Sequence, residues 1–260
     1  MKYAICTVPV APMRTSHDHR SEMSSQVIFG EQVKIIASTA EGWAQVECCN
    51  DGYIGYCRMN QFFILDKELE TTGAFAADWV QPIEIKGQKL MVPMGADLSL
   101  LETPLSFPKP TYDGNAVIAS TKNFSEGNIK NFSLPYMNTA YLWGGRTIFG
   151  IDCSGFVQAV FKMMNISLKR DANQQVNEGE GVGFLEEAKC GDLAFFDDEE
   201  ARIIHVGILL DPQQIIHASG IVRIDTIDNL GIINSSTGRR THKLRVIKRM
   251  KELQDDLPGG

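Results

Sequence analysis

At 260 residues the chain is longer than one average domain and has room for two or three small ones, each with its own core. Apolar residues make up 43% and charged residues 22%, which excludes a disordered or fibrous chain, and a formal net charge of -7 argues against nucleic acid or an anionic membrane surface as partner. The N-terminal MKYAICTVPVAPMR is too short for a membrane span and too proline-broken for a secretory signal, so the expected location is cytoplasmic if Met1 is native, and periplasmic or extracellular if a leader has been removed.

Residues 1–66 are expected to be all-β. Val27-Ile28-Phe29 leads into a Gly30-Glu31 turn, Val33 to Ala37 follows as a strand, and Trp43 to Cys48 alternates apolar and polar side chains. After the turn residues Asn50-Asp51-Gly52 the chain returns over Tyr53 to Cys57, and short strands at this spacing make a small barrel. From 67 to 125 the pattern weakens. Trp79 to Ile83, Lys89 to Met94 and Asn115 to Ser120 read as strands, with Gly95 to Pro110 as a loop, and a second, diverged barrel fits the stretch. Ser125 to Pro135 is polar and reads as a linker into a last domain, 126–260, where a helix precedes a run of strands; this order makes an α+β domain. The basic residues Arg239, Arg240, Lys243, Arg245, Lys248, Arg249 and Lys251 read as the solvated side of the last strand.

The chemistry concentrates in Tyr141 to Asn165. Phe156, Val157, Val160, Phe161 and Met164 form the apolar stripe of a helix, and Cys153 falls in its first turn, where unpaired N–H groups and the helix dipole favour a thiolate. Two histidines follow in RIIHVGILL and QQIIHASG, separated by Asp211-Pro212. With a loop of Leu210, Asp211 and Pro212, Leu209 pairs with Gln213 and His205 stands directly opposite His217, with Cβ atoms about 5 Å apart. That register puts Ile204, Val206, Ile208 and Leu210 on a buried apolar face. Acyl transfer by cysteine needs a nucleophile, a base and a group that orients the base, and Cys153, His205 and His217 supply them. Zinc is the rival use of the same trio, but it lacks a clustered fourth ligand, so neither metal nor cofactor is expected. The six cysteines form no C-x-x-C pair; a Cys48 or Cys49 to Cys57 bridge is one reading, and free thiols in a reducing compartment are the simpler one.

Tyr141, Trp143-Gly144-Gly145, Asp152-Cys153-Ser154-Gly155-Phe156, Gly191-Asp192-Leu193 and the two spaced histidines resemble the NlpC-type cysteine peptidases of bacterial cell-wall turnover over about 110 residues. GEQVKII, GWAQVE and DGYIGY likewise resemble a bacterial SH3-like domain. The resemblance implies a papain-like α+β catalytic domain behind one or two SH3-like barrels, with Cys153 as nucleophile, His205 as base, His217 as orienter and the Tyr141 hydroxyl beside the oxyanion. Barrels placed before such a domain are similar to the γ-D-glutamyl-L-diamino acid endopeptidases, which cut stem peptides with a free N-terminal L-Ala. In that subgroup Glu22 and Tyr53 match positions that close over the substrate, and Asp171 matches one that receives the free amine. Asp152 is expected either to cap the helix or to point at that amine, with Ser154 beside it in the substrate site. The sequence departs from the subgroup at Ala172, where a serine is common, and at Tyr56, where a tryptophan is common. Murein stem peptides are therefore the expected substrate, with no obligate protein partner. A Cys-His amidase or acyltransferase on another amide or ester, and a non-catalytic wall-peptide binding protein, are the alternatives.

Overall fold

The structure, a computed structural model, describes residues 2–39, 41–103, 106–120 and 124–250. Seven strands build the first unit: β1 (Lys2–Cys6), β2 (Val10–Arg14), β3 (Met23–Ile28), β4 (Gln32–Ser38), β5 (Trp43–Cys48), β6 (Ile54–Arg58) and β7 (Phe62–Leu65), in the order β3-β2-β6-β5-β4-β1-β7. Alternation drives the middle of this sheet. On β5, Ala44, Val46 and Cys48 point inward to Ala4, Met13, Val33 and Cys57, while Gln45 and Glu47 stay half-exposed.

The next segment adds β8 (Ala74–Ala76), β9 (Val80–Ile85), β10 (Gln88–Pro93), β11 (Thr111–Tyr112) and β12 (Ala116–Ile118), paired as a β10-β9-β11 sheet and a separate β12-β8 ladder. It shares one apolar core with the first unit, since Ala76, Ile83, Val92 and Leu98 pack with Ile5, Ile28, Phe29 and Leu65.

In place of the expected linker stands α1 (Glu126–Ser133), capped by Ser125, whose hydroxyl accepts from Asn128 N–H at 3.2 Å. A short hairpin of β13 (Arg146–Thr147) and β14 (Gly150–Ile151) leads into α2 (Cys153–Lys162), followed by α3 (Ala172–Gln175). The remaining strands are β15 (Glu180–Val182), β16 (Leu193–Asp197), β17 (Ile203–Asp211), β18 (Gln214–Ser219), β19 (Ile221–Asp228), β20 (Gly231–Ile233) and β21 (Arg240–Arg249). The sheet runs β15-β21-β16-β17-β18-β19-β20, and an extra β20–β21 pairing closes its last six strands into a barrel. Helix α2 packs on the outside of this barrel, with Phe156, Val157, Val160 and Phe161 against Val206, Ile208 and Ile216. The result is the expected α+β arrangement, and no helix among the described residues is long and apolar enough to cross a membrane.

The first barrel and the α+β domain are joined through buried polar contacts. Glu31, at the β3–β4 turn, accepts from both ends of the Arg146 guanidinium at 2.8 and 3.1 Å and from Lys162 Nζ at 2.8 Å. Arg146 also donates to the Gln26 carbonyl at 2.7 Å, and Gln158 Nε2 reaches Asp51 Oδ2 at 2.9 Å. Gly144 (φ +77°) lies against the backbone of β3, where a Cβ would come within 2.3 Å of the Met23 carbonyl oxygen. These contacts fix the edge of the first barrel beside the start of α2.

Candidate active site

Asp152 caps α2 in an extended conformation and takes the first of its two expected positions. Its Oδ1 accepts from Gly155 N–H at 2.7 Å and its Oδ2 from Gly144 N–H at 2.9 Å. Arg170, 1% exposed, closes on the same carboxylate through Nη1 at 3.1 Å and Nη2 at 2.5 Å. Ser154 Oγ accepts from Arg170 Nη1 at 2.9 Å and donates to Asp152 Oδ1 at 3.3 Å. With five donors on a carboxylate that offers about four lone-pair sites, Asp152 has none left for a substrate amine. Asp152 and Ser154 border the cleft, and their polar side-chain atoms hold the turn that presents Cys153.

Cys153 is 6% exposed. Burial, and then the Asp152 charge, push its thiol up to about 12, against the favourable N–H groups of Val206 and Ser154. Burial also moves the His205 imidazole well below its usual value, with His217 and His242 adding to the shift. Desolvation thus opposes the thiolate that the helix terminus favours. Iodoacetamide at pH 6 is accordingly expected to modify Cys153 no faster than an unactivated thiol, with the rate rising as the pH increases; fast, pH-independent labelling would indicate a preformed ion pair.

The two histidines meet, though not in the expected register. The β17–β18 loop is Pro212-Gln213, and Ile208 pairs with Ile216 and Leu209 with Ile215. Continued along the strands, this register sets Gly207 opposite His217 and His205 one pleat further on, on the same face. A Cβ on Gly207 would come within 2.8 Å of His217 Cβ, so the missing side chain lets the rings approach diagonally. His205 Nε2 and His217 Nδ1 are 2.8 Å apart, with the rings edge to face. Val206, Ile208 and Leu210 are buried as expected, whereas Ile204 is 55% exposed and borders the cleft.

That cleft has a volume of about 520 Å³ and runs between the first barrel and the start of α2. Its wall includes Glu22, Ser24 and Tyr53 from the barrel and Tyr141, Trp143, Asp152, Cys153, Ser154 and Asp171 from the α+β domain. Tyr141 is half-buried; burial, then the Cys153 and Asp152 charges, raise its phenol above the usual range, so it remains an O–H donor. Glu22 Oε1 accepts from Trp143 Nε1 at 2.6 Å across the mouth. Burial raises the Asp171 carboxyl, opposed by Arg170, and also raises the Tyr53 phenol, to which Asp171 adds.

Three neighbours escaped the sequence reading. Asp225 on β19 lies 3.1 Å from His217 Nε2, Arg170 pairs with Asp152, and His242 on β21 stacks on His205 with ring centroids 4.2 Å apart. The turn at Ser219-Gly220, which returns β19 alongside the His217 strand, was the available signal for Asp225.

Residues 138–241 match the NlpC/P60 family, and residues 13–62 match the bacterial dipeptidyl-peptidase Sh3 domain. The C-terminal domain belongs to the NlpC/P60 family. The chain is a cysteine peptidase with an SH3 domain in front of its NlpC/P60 domain. It is 28% identical over 215 residues to the γ-D-glutamyl-L-lysine dipeptidyl-peptidase of Bacillus subtilis (strain 168), covering 75% of this chain and 72% of that one. It is 25% identical over 253 residues to dipeptidyl-peptidase 6 of Lysinibacillus sphaericus, covering 83% and 87%. A crystal structure of an NlpC/P60 family protein from Bacillus cereus ATCC 10987 superposes with a TM-score of 0.76 at 19% identity, over 95% of this chain and 99% of the other, a likeness of fold.

Proposed function

We propose that this NlpC/P60 peptidase hydrolyses the γ-D-glutamyl to L-diamino acid bond of murein-derived stem peptides whose N-terminal L-Ala is free. In this reading Cys153 attacks the γ-carbonyl, His205 takes its proton, His217 orients His205, and the Tyr141 hydroxyl with the Cys153 N–H receives the oxyanion. The observation that carries the reading is the cleft itself, in which Glu22, Tyr53 and Asp171 share one space with Cys153. A carboxylate pair at one end suits an ammonium, and a pocket so bounded suits a substrate that ends there. With Asp152 engaged by Arg170, amine recognition falls to Glu22 and Asp171, and Ala172 leaves that end without a hydroxyl. The name of the Bacillus subtilis relative supports the same bond, and the names of the Bacillus subtilis and Lysinibacillus sphaericus relatives both support release of a dipeptide. All six cysteines are free, which supports work on released peptides in a reducing compartment.

The test is release of the free diamino acid from L-Ala-γ-D-Glu-L-Lys and from its meso-diaminopimelate counterpart. Release from neither contradicts the reading. Glu22→Gln removes one charge from the ammonium end, and KM is expected to rise about tenfold with kcat little changed, the scale of one charge-assisted hydrogen bond. A loss confined to kcat in steady-state assays would move Glu22 out of substrate binding.

A further inference from the structure

The interior of the closed barrel is apolar at one end, where Ala194, Leu209, Ile215, Ile227 and Ile232 pack together, and polar at the other. Three successive strands supply a hydrogen-bonded chain at the polar end: His205 on β17, His217 on β18 and Asp225 on β19, each at most 5% exposed. The links are 2.8 Å from His205 Nε2 to His217 Nδ1 and 3.1 Å from His217 Nε2 to Asp225 Oδ2. Asp225 is itself anchored, because Oδ1 accepts from Arg223 Nη2 at 2.9 Å and from Ser235 N–H at 2.8 Å.

We propose that Asp225 is a positioning residue that sets which nitrogen of both imidazoles carries the proton, and thereby leaves Nδ1 of His205 bare to receive the proton of Cys153. The inference rests on the reading of Cys153 and His205 as nucleophile and base. An ionised carboxylate only accepts, so His217 Nε2 carries a hydrogen towards it. With one proton on each ring, His217 Nδ1 must accept, and the hydrogen between the rings belongs to His205 Nε2. His205 Nδ1 then holds a lone pair, and it has no hydrogen-bond partner among the described residues. The Cys153 S–H bond breaks as an Nδ1–H bond forms, sulfur bonds to the substrate carbonyl carbon, and the proton later leaves on the departing amine. The positive charge held by the imidazole pair in between faces the Asp225 carboxylate.

The surroundings fit this assignment. Burial opposes the Asp225 charge, but the donors His217, Ser235 and Arg223 outweigh it and hold the carboxyl far below its usual range. His242 of β21, stacked on His205, is moved down to about 4 by burial and then by His217, so it adds no charge near neutral pH. Phe196 of β16 tilts against His205 with ring centroids 5.7 Å apart, and this packing resists a ring flip. Arg223 on β19, with Nε 2.9 Å from Asp225 Oδ2, is a further charged group at this end.

Asp225→Asn tests the proposal with little change of shape. Arg223 Nη2 and Ser235 N–H both donate to the Oδ1 position and keep an oxygen there, which turns the new NH2 towards His217 Nε2; Arg223 Nε, 2.9 Å from Oδ2 but not hydrogen-bonded to it, gives way. The chain then reverses, and His205 carries its hydrogen on Nδ1. Nitrogen-15 NMR of the histidine-labelled resting protein is expected to show His205 protonated at Nε2 in wild type and at Nδ1 in Asp225→Asn. In steady state kcat is expected to fall about a hundredfold to ten-thousandfold with KM nearly unchanged. A wild-type His205 protonated at Nδ1, a doubly protonated His217, or a variant kcat within about threefold of wild type would overturn the proposal. The wild-type NMR result needs neither substrate nor a folded variant, so an error about the peptide cleaved is distinguishable from an error about Asp225.

Discussion

Cys153→Ala is expected to lower hydrolysis of the stem tripeptide by about ten-thousandfold or more, because no other thiol lines the cleft. The remaining thiols are badly placed for the role. Cys6, Cys48 and Cys57 are buried among barrel side chains, and Cys49 and Cys190 lie outside the cleft wall. Loss of one buried sulfur costs little stability, and the Asp152 cap, the Arg170 pair and the cleft persist. Substrate affinity is therefore expected to survive, measurable as binding of the intact tripeptide by calorimetry. Cleavage at a wild-type rate would remove Cys153 from the mechanism, and lost binding together with lost cleavage would instead point to a folding defect.

Glu31→Gln is expected to lower unfolding free energy by about 3 kcal/mol. Burial alone would raise this carboxyl, but Arg146 and then Lys162 overcome it and bring it down to about 2. Its ordinary value is 4.5, and a depression of that size corresponds to about 3 kcal/mol by linkage. Because the folded value is the lower one, the contribution is complete above about pH 5 and disappears as the pH falls towards about 2. Urea unfolding of wild type and variant should therefore differ most near neutrality and converge on acidification. A difference that is absent at pH 7, or independent of pH, would mean that the buried pairs at the domain junction contribute no net stability. Since Arg146 directly follows the Gly144-Gly145 turn that packs on β3, the variant should also loosen the cleft.

Much of this architecture was legible because burial imposes a period. Trp43 to Cys48 alternates and folds as a strand, and the stripe from Phe156 to Met164 packs on the barrel as expected. What escaped lacked such a period. Pro9 lies between β1 and β2 and Pro12 falls within β2, and α1 buries only Ile129 and Ser133 of its eight residues. The histidine pairing survived an error in the turn for a physical reason. Moving the loop to Pro212-Gln213 shifts the register by two, and a shift of two leaves every side chain on its face. A helix terminus is visible in sequence, whereas the burial that opposes a thiolate at Cys153 is not. Asp225, Arg170 and His242 depend on strand order and long-range packing, which no local pattern encodes. Glu22, Tyr53 and Asp171 are ordinary polar surface residues in isolation. Only the junction between the two domains places them around one cleft.

The central claim is that the cleft between barrel and peptidase domain selects a free amine while Cys153 performs the cleavage. One comparison bears on it most directly: kcat/KM of the wild-type protein on L-Ala-γ-D-Glu-L-Lys and on the same peptide with its N-terminus acetylated. Acetylation removes the charge and adds bulk at the carboxylate end, and a fall of about a hundredfold or more is predicted. Equal values for the two peptides would contradict the account.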